Sequence, residues 1–316
     1  MYNAPSKILA ATMANPYAGP AYSAGAILIW GGFPVFFNQL AHIDSVVIIG
    51  HRMIWAMVFM LVVIAALGHL RAVREALTRP RTIMVLMLTG ALLGVSWATY
   101  VWAVLNDFII EASLGYYLSP LLSIVAAMVF FSERLSRLQW VSVLLAASGV
   151  ASMIVINNVV PWIGIFLGAI FAVYSALRKK VELQPFVAGF IESLFLFPVG
   201  LGIVFLYPES RISELGLNDL FLLVSAGVVT ILPLAWYICA ARLMPLTTLA
   251  TLFYLAPTLG FLSGVFLFDE PFTTGHAIMF GLILTGLGIF TVDAFRTGRG
   301  YGRPVLGTAT TSTNTK

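Results

Sequence analysis

Long apolar stretches, separated by short polar connections, dominate the chain. Ten of them lie near residues 21–40, 45–67, 82–104, 110–131, 139–156, 160–177, 185–207, 219–241, 246–268 and 275–295. Each is close to the roughly 20 residues that an α-helix needs to cross a bilayer. They are longer than the strands of a membrane barrel and do not alternate in polarity. Because backbone groups in lipid must be satisfied within their own segment, the pattern predicts an all-α membrane protein with ten transmembrane helices.

Composition excludes a water-soluble enzyme. Of the 316 residues, 60% are hydrophobic and 9% charged, and the mean hydropathy is +0.98, whereas soluble domains carry about 25% charged residues. The polar ends, 1–20 and 296–316, are predicted to be cytoplasmic tails, the second of them disordered. A single cysteine, Cys239, excludes an internal disulfide and a cysteine zinc site.

The positions of the basic residues predict the orientation. With the N-terminus in the cytoplasm, every Lys and Arg except Arg52 and Arg211 falls in a tail or an inner loop. Cytoplasmic loops carry such an excess of Lys and Arg. We therefore expect ten spans with both termini in the cytoplasm.

The two halves of the chain resemble each other when each residue of the first half is aligned with the residue 137 positions later. The alignment places Tyr117-Leu118-x-Pro120 on Tyr254-Leu255-x-Pro257, Glu133 on Glu270, Gly90 on Gly227, and Gly149 on Gly286. We call this alignment the repeat register. It predicts two five-helix repeats, at 21–156 and 160–295. Because five is odd, the second repeat enters the membrane from the opposite side, as in transporters built from inverted repeats. Such a repeat can also be a relic of gene duplication.

Ionisable side chains inside the spans are the first candidates for function, since burying them in a membrane is costly. His51 and Arg52 lie about seven residues into the second span, and Glu192 lies at a similar depth in the seventh. One interpretation has Arg52 in a central cavity, where its guanidinium binds an anion through two parallel hydrogen bonds, with Glu192 as a cation or proton site. The alternatives are a structural Arg52–Glu192 ion pair, or side chains reaching separately to opposite interfaces.

Aromatic residues and prolines supply the remaining candidates. Trp97 and Tyr100 share a helical face, and the further candidates for solute contact are Tyr117, Trp236, Tyr237 and Tyr254. Aromatic faces are suited to a flat or partly apolar solute, although most aromatic residues in such bundles are core or interface residues. Pro120 and Pro257 occupy equivalent positions and are either hinges or fixed kinks.

The sequence contains no nucleotide-binding glycine loop, no His-Glu-x-x-His and no Cys/His cluster. We therefore expect no cofactor, metal or catalytic residue, and no nucleic-acid partner. Two other classes stay open as alternatives to a transporter. One is an intramembrane lipid-modifying enzyme using His51, and the other is a non-transporting scaffold or sensor.

Several motifs resemble the RarD-like group of EamA-type transporters, in the drug/metabolite transporter superfamily. They are Trp97-x-x-x-x-Trp102-Ala103-Val104-x-Asn106, Glu111-Ala112-Ser113-Leu114-Gly115-Tyr116, His51-Arg52-x-Ile54-Trp55, Ile191-Glu192 and Ala256-Pro257-Thr258. The resemblance covers about 25–295 and implies ten helices in two inverted halves, in the bacterial cytoplasmic membrane. It also implies export or exchange of small organic solutes. Together with the repeat and the aromatic faces, this leads us to expect a secondary transporter of small organic metabolites or drugs, including amino-acid-like or aromatic ones, that works by alternating access. The resemblance leaves two questions: whether a proton is the coupling ion, and whether the protein is a monomer or a homodimer.

Overall fold

The computed structural model describes residues 17–131, 135–178, 181–207, 216–243, 249 and 252–297. All regular structure in these ranges is helical. The helices are α1 (Ala18–Gly31), α2 (Phe33–Asn38), α3 (Ser45–Ala66), α4 (Leu70–Ala76), α5 (Pro80–Leu105), α6 (Ile109–Phe131), α7 (Arg137–Asn157), α8 (Trp162–Arg178), α9 (Pro185–Leu206), α10 (Leu217–Leu243), α11 (Leu255–Leu267) and α12 (Thr274–Thr297). Most of both predicted tails, and Glu133 of the predicted repeat, lie outside the described residues.

Seven of the described helices are long and apolar enough to cross a membrane: α3, α5, α6, α7, α9, α10 and α12. Helices α8 and α11 are shorter but also apolar. Large apolar side chains are exposed on the outside of the bundle, such as Phe205 at 74% and Leu206 at 79%. Exposed apolar surface of this kind suits contact with lipid tails rather than water. The chain is thus an all-helical protein with multiple membrane spans.

The first predicted span, 21–40, is interrupted. Helix α1 ends at Gly31 and α2 begins at Phe33, with Pro34 at the start of the second helix. Proline lacks the N–H that would continue the hydrogen-bond ladder of α1, whereas it is tolerated in the first turn of a new helix. The interruption therefore follows from the sequence, and it gives the Phe33 and Phe37 side chains a helix of their own.

Glycines that are equivalent in the repeat register make reciprocal contacts. A Cβ atom at Gly90 would lie 3.1 Å from the Glu192 carbonyl oxygen, and one at Gly227 would lie 2.6 Å from the Trp55 carbonyl carbon. In this register Gly227 is the equivalent of Gly90, and Glu192 is the equivalent of Trp55. In the same way, Gly149 lies against Met279 and Gly286 lies against Ser142. Helices at these crossings approach closely because glycine has no side chain.

Helices α3 and α9, which are equivalent in the repeat register, pack antiparallel. Gly50, near the start of α3, lies against Gly200, near the end of α9. Farther along α3, Met60 lies against Gly189, near the start of α9.

The equivalent helices α7 and α12 also pack antiparallel. Ser136, at the start of α7, donates a hydrogen bond to Asp293 near the end of α12 (2.9 Å). Asn157, the last residue of α7, bonds to Thr273, just before α12 begins. Equivalent helices therefore run in opposite directions at both of these contacts.

Glu270, in the connection between α11 and α12, binds the beginning of α6. Its carboxylate oxygens accept hydrogen bonds from the backbone N–H groups of Ile109 (2.5 Å) and Ile110 (2.8 Å). These N–H groups have no partner inside the helix, and the helix dipole favours an anion here. Burial nevertheless raises the pKa of the Glu270 carboxyl above its ordinary value, against the opposing effect of the two hydrogen bonds. Glu270 thus joins the α11–α12 connection of the second half to a helix of the first.

Candidate solute-binding site around Arg52

Arg52 lies inside the bundle, on α3, with 3% of its surface exposed. Its Nε donates a hydrogen bond of 2.9 Å to the hydroxyl of Thr230 on α10. The Thr230 hydroxyl in turn donates to the Ala226 carbonyl oxygen, one turn earlier (2.7 Å). This orientation leaves the hydroxyl oxygen available to accept from Arg52, so a side chain from the second half fixes one edge of the guanidinium.

Aromatic rings surround the rest of the guanidinium. Its central carbon lies 4.7 Å from the Trp97 ring centroid, 5.2 Å from that of Phe37 and 5.5 Å from that of Phe33. A cation within about 6 Å of a ring face is attracted by the ring quadrupole. We call Arg52 and these three rings the arginine box. The rings stabilise the buried charge without occupying its hydrogen-bond donors.

One hydrogen-bond donor of Arg52 has no partner among the described residues. It is the terminal nitrogen Nη1, which is buried. A buried donor without a partner costs about 1–3 kcal/mol, and more for a charged group. The guanidinium fork fits a carboxylate or another planar anion. Arg52 therefore has a buried, positively charged donor of the kind that binds an anionic group.

Two tyrosines extend the arginine box. Tyr100 and Tyr116 pack in the same hydrophobic cluster as Phe33, Phe37 and Trp97. Their ring centroids are 5.7 Å apart, and Tyr100 also contacts Phe33 at 6.1 Å. His51 is buried beside Arg52 in sequence, at 2% exposure, but adjacent helical residues do not face each other. Of the predicted site residues, Trp97 and Tyr100 are thus brought to Arg52.

Glu192 forms a separate polar cluster. One of its carboxylate oxygens accepts a hydrogen bond from the Thr89 hydroxyl (2.7 Å) and lies 3.2 Å from Nε of Arg178. The Tyr174 hydroxyl donates to the other oxygen at 3.4 Å. The ion-pair partner of Glu192 is therefore Arg178, the last residue of α8, and not Arg52. An Arg52–Glu192 pair was one of the sequence-based alternatives, and the described geometry does not contain it.

The other predicted aromatic residues pack elsewhere among the described residues. Tyr237 contacts Trp30 and Phe253, with centroids 6.2 and 4.6 Å away, and Trp236 lies against Gly25 of α1. The hydroxyl of Tyr117 bonds to that of Thr258 (2.6 Å). Tyr254 immediately precedes α11. These contacts join α1, α6, α10 and α11 and do not include the arginine box.

The two candidate hinge prolines occupy different local positions. Pro120 lies inside the continuous helix α6. Pro257 is the third residue of α11, directly after a turn at Tyr254. A proline in the first turn of a helix removes no intrahelical hydrogen bond, whereas one in the interior does. Whether either residue is a hinge stays a prediction.

The sequence did not predict Phe33 and Phe37 of the arginine box, or Thr230, which accepts a hydrogen bond from Arg52. The two phenylalanines had a usable signal, since they are four residues apart and follow a Gly-Gly-Phe-Pro break. Thr230 had none, because a single threonine in an apolar helix is common and its partner lies 178 positions earlier in the chain. Arg178 was assigned to an inner loop because it begins an Arg-Lys-Lys run.

Comparison with known proteins places the chain among transporters. Residues 18–155 match the EamA-like transporter family. An uncharacterized transporter of Vibrio cholerae is 35% identical over 288 residues, which cover 90% of this chain and 95% of the relative. The RarD protein of Salmonella typhi is 35% identical over 284 residues, covering 89% and 97%. One solved crystal structure, 22% identical with a TM-score of 0.57, covers 88% of this chain and 98% of its own and shares the fold.

The helices and these relatives define a bacterial multi-pass membrane protein of the transporter class, which acts on a small-molecule solute in a lipid bilayer. The chain belongs to the EamA-like transporter family of the drug/metabolite transporter superfamily, in the group of the RarD proteins.

Proposed function

We propose that the protein is a secondary transporter for small organic anions or zwitterions that carry a flat apolar part. The arginine box supports this substrate class, because Arg52 presents an unpartnered buried donor among aromatic rings. A carboxylate would complete the hydrogen bonding of the guanidinium, and an attached ring would stack on the aromatic side chains. The single observation on which the proposal depends is the unsatisfied Nη1 of Arg52 at 3% exposure.

The same proposal includes alternating access by two inverted five-helix halves, with both termini in the cytoplasm. Antiparallel packing of equivalent helices supports it, because an axis in the membrane plane reverses the direction of every helix it relates. The reciprocal contacts of Gly90 and Gly227 add support at a second pair of interfaces. The Arg52–Thr230 bond joins the two halves, so rocking of one half against the other would change the solute site.

The alternative functions are less well supported. Relatives covering about nine-tenths of this chain carry transporter or RarD names. His51, the candidate base for a lipid-modifying enzyme, is 2% exposed and would need water and substrate beside it to act. We therefore assign no catalytic role to His51.

Proteoliposomes provide the test. Vesicles containing the full chain are given an isotope-labelled mixture of aromatic amino acids, aromatic carboxylates and aromatic amines, and uptake is measured by mass spectrometry. The wild type should accumulate at least one component above protein-free vesicles. Arg52→Gln should lose that uptake while eluting as a folded protein in size-exclusion chromatography. Arg52→Lys, which keeps the charge but lacks the planar fork, should retain only part of it.

The proposal fails if Arg52→Gln transports as well as the wild type. It also fails if uptake is confined to cationic compounds, because a buried guanidinium repels them. Arg71→Gln is the matched control, since Arg71 is an arginine on α4 whose side chain is 90% exposed and pairs only with Glu75 in the described geometry. This control should transport normally.

A further inference from the structure

We propose that Glu192 is a proton-binding site, separate from the arginine box, and that its protonation opens the Arg178–Glu192 ion pair. The inference rests on the proposed transport function for its role and adds the coupling ion, a proton. It starts from a similarity between two interfaces. Arg52 joins α3 to Thr230 of α10, and Glu192 joins α9 to Thr89 of α5.

These two interfaces are equivalent in the repeat register, with a displacement of about one turn. The equivalent of position 52 is 189, three residues before Glu192, and the equivalent of Thr89 is 226, four residues before Thr230. Three and four residues are the spacings that keep a side chain on the same helical face. Each half thus directs one ionisable side chain at a threonine of the other half.

The Glu192 cluster is too far from the arginine box to hold the same small carboxylate. Thr89 and Trp97 both lie on α5, eight residues apart, which corresponds to about 12 Å along the helix axis. Between them, Gly94 lies against Leu196, with Met53 nearby. An apolar layer therefore separates Glu192 from Arg52. The two ionic sites are therefore separate, and each of them contacts α5, Glu192 through Thr89 and Arg52 through Trp97.

The chemistry at Glu192 selects a proton over a metal ion. The Glu192 side chain is 3% exposed, and its carboxylate is already surrounded by one guanidinium and two hydroxyl groups. No group of three or more metal-ligating side chains occurs among the described residues. A proton needs no coordination shell, and a water molecule can deliver it. It bonds to a carboxylate oxygen, which leaves a neutral acid and a guanidinium without its counter-ion.

The charged surroundings of Glu192 come from several packed helices. Helix α8 contributes Arg178 and Tyr174, and α5 contributes the neutral hydroxyl of Thr89. On α4, Arg71 and Glu75 pair with each other at the surface. On α3, Arg52 bonds to Thr230, and His51 is buried beside it in sequence. Lys179 and Lys180 lie outside the described residues. Arg178 is therefore the described cation in contact with Glu192.

Release of Arg178 has a direct route to solvent. Its side chain is 18% exposed, while that of Glu192 is 3% exposed. Arg178 is also the last residue of α8, so its freed guanidinium can turn outward without breaking the helix. The equivalent of Glu192 in the first half is Trp55, which cannot bind a proton in this way. The second half therefore has a proton-binding residue at this position, and the first half does not.

Infrared titration of the purified full-length protein tests proton binding without any solute. Acidification should produce a carbonyl band of a protonated carboxylic acid that is missing in Glu192→Gln. Glu270→Gln is the matched control, because Glu270 is also a buried glutamate, at 6% exposure, and this variant should keep the band. Arg178→Gln should move the band midpoint upward by about 1–3 pH units, the usual effect of losing an adjacent opposite charge. Arg178→Lys should restore most of the shift.

Hydrogen exchange tests the opening of the ion pair. Glu192→Gln imitates the protonated state, so at one fixed pH the end of α8 should exchange faster than in the wild type. Asp219→Asn, which breaks the exposed His42–Asp219 pair, should leave α8 unchanged. The proposal is overturned if no band depends on Glu192, if Arg178→Gln leaves the midpoint in place, or if α8 exchange is the same in Glu192→Gln.

Coupling is then tested with the labelled mixture used for Arg52. An imposed pH gradient should change wild-type uptake by several fold and should not affect the Glu192→Gln variant. Loss of uptake in Arg52→Gln without any Glu192 band would support the transport proposal and reject the proton site. A Glu192 band in a protein that does not take up the mixture would support the proton site and reject the transport proposal.

Discussion

Substitution of Gly227 by alanine tests a close approach between α3 and α10. A Cβ atom at this position would lie 2.6 Å from both the carbonyl carbon and the Cβ atom of Trp55. Real Cβ contacts are about 3.5–4.0 Å, so the two helices would have to separate by roughly 1 Å. Backbone and Cβ atoms cannot avoid the contact by rotating a side chain.

The expected magnitude combines two opposing effects. Overpacking of this kind costs about 1–3 kcal/mol. Alanine also favours helix by about 0.8–1.0 kcal/mol relative to glycine, so Gly227→Ala should be destabilised by up to about 2 kcal/mol. Gly281 is the matched control, because it lies inside α12 with no atom within 4 Å of its hypothetical Cβ. Gly281→Ala gains the propensity without the clash and should be neutral or stabilised.

The assay is thermal unfolding of the purified variants in one detergent. Because the propensity gain is common to both variants, the difference between Gly227→Ala and Gly281→Ala isolates the clash at about 1–3 kcal/mol. Gly90→Ala should fall between them, since its Cβ would lie 3.1 Å from the Glu192 carbonyl oxygen. Equal unfolding midpoints for Gly227→Ala and Gly281→Ala would refute the described contact between α3 and α10.

Three further substitutions test individual contacts by the same thermal assay. Thr230→Val leaves Nε of Arg52 without its acceptor and should lower stability by about 1–3 kcal/mol. Thr230→Ser keeps the hydroxyl and should not lower stability. Equal unfolding midpoints for the two variants would rule out this hydrogen bond. Ser136→Ala removes the cap of α7, where Ser136 and Gln139 bond reciprocally, and should lower stability by about 1 kcal/mol. Ser136→Thr is the conservative control. An alanine variant with the unfolding midpoint of the wild type would contradict the cap. Burial raises the pKa of Glu270 above 4.5, so its contribution to stability is complete below that value and is lost as pH rises through the raised pKa. The wild type should therefore lose stability relative to Glu270→Gln as pH increases towards neutral, and a relative gain would show that the hydrogen bonds from Ile109 and Ile110 outweigh burial.

The sequence predicted helices better than it predicted contacts. Each of the ten apolar stretches overlaps a described helix, because span length and hydrophobicity are properties of neighbouring residues. The break at Gly32 was not predicted, although Pro34 provides its physical cause. The seven-residue helix α4 was also missed, since it lies in a polar loop and is too short for a clear periodic pattern.

In the candidate site, too, single residues were easier to predict than the contacts between them. Arg52 and Glu192 were found because an ionisable residue in an apolar span is conspicuous on its own. Their partners, Thr230 and Arg178, could not be found in this way, since a hydrogen bond between distant helices leaves no local trace. The repeat register came closest to predicting contacts, because it relates positions in different helices.

Ligand-dependent stability of wild type and Arg52→Gln tests the central claim most directly. Both proteins are purified as full chains, and thermal unfolding is screened against carboxylates, zwitterions and organic cations. A bound solute raises the apparent stability by mass action. We predict that aromatic carboxylates or zwitterions raise the midpoint of the wild type and have no effect on Arg52→Gln. Stabilisation of both proteins by the same compounds, or of the wild type by cations alone, would contradict a solute site at Arg52.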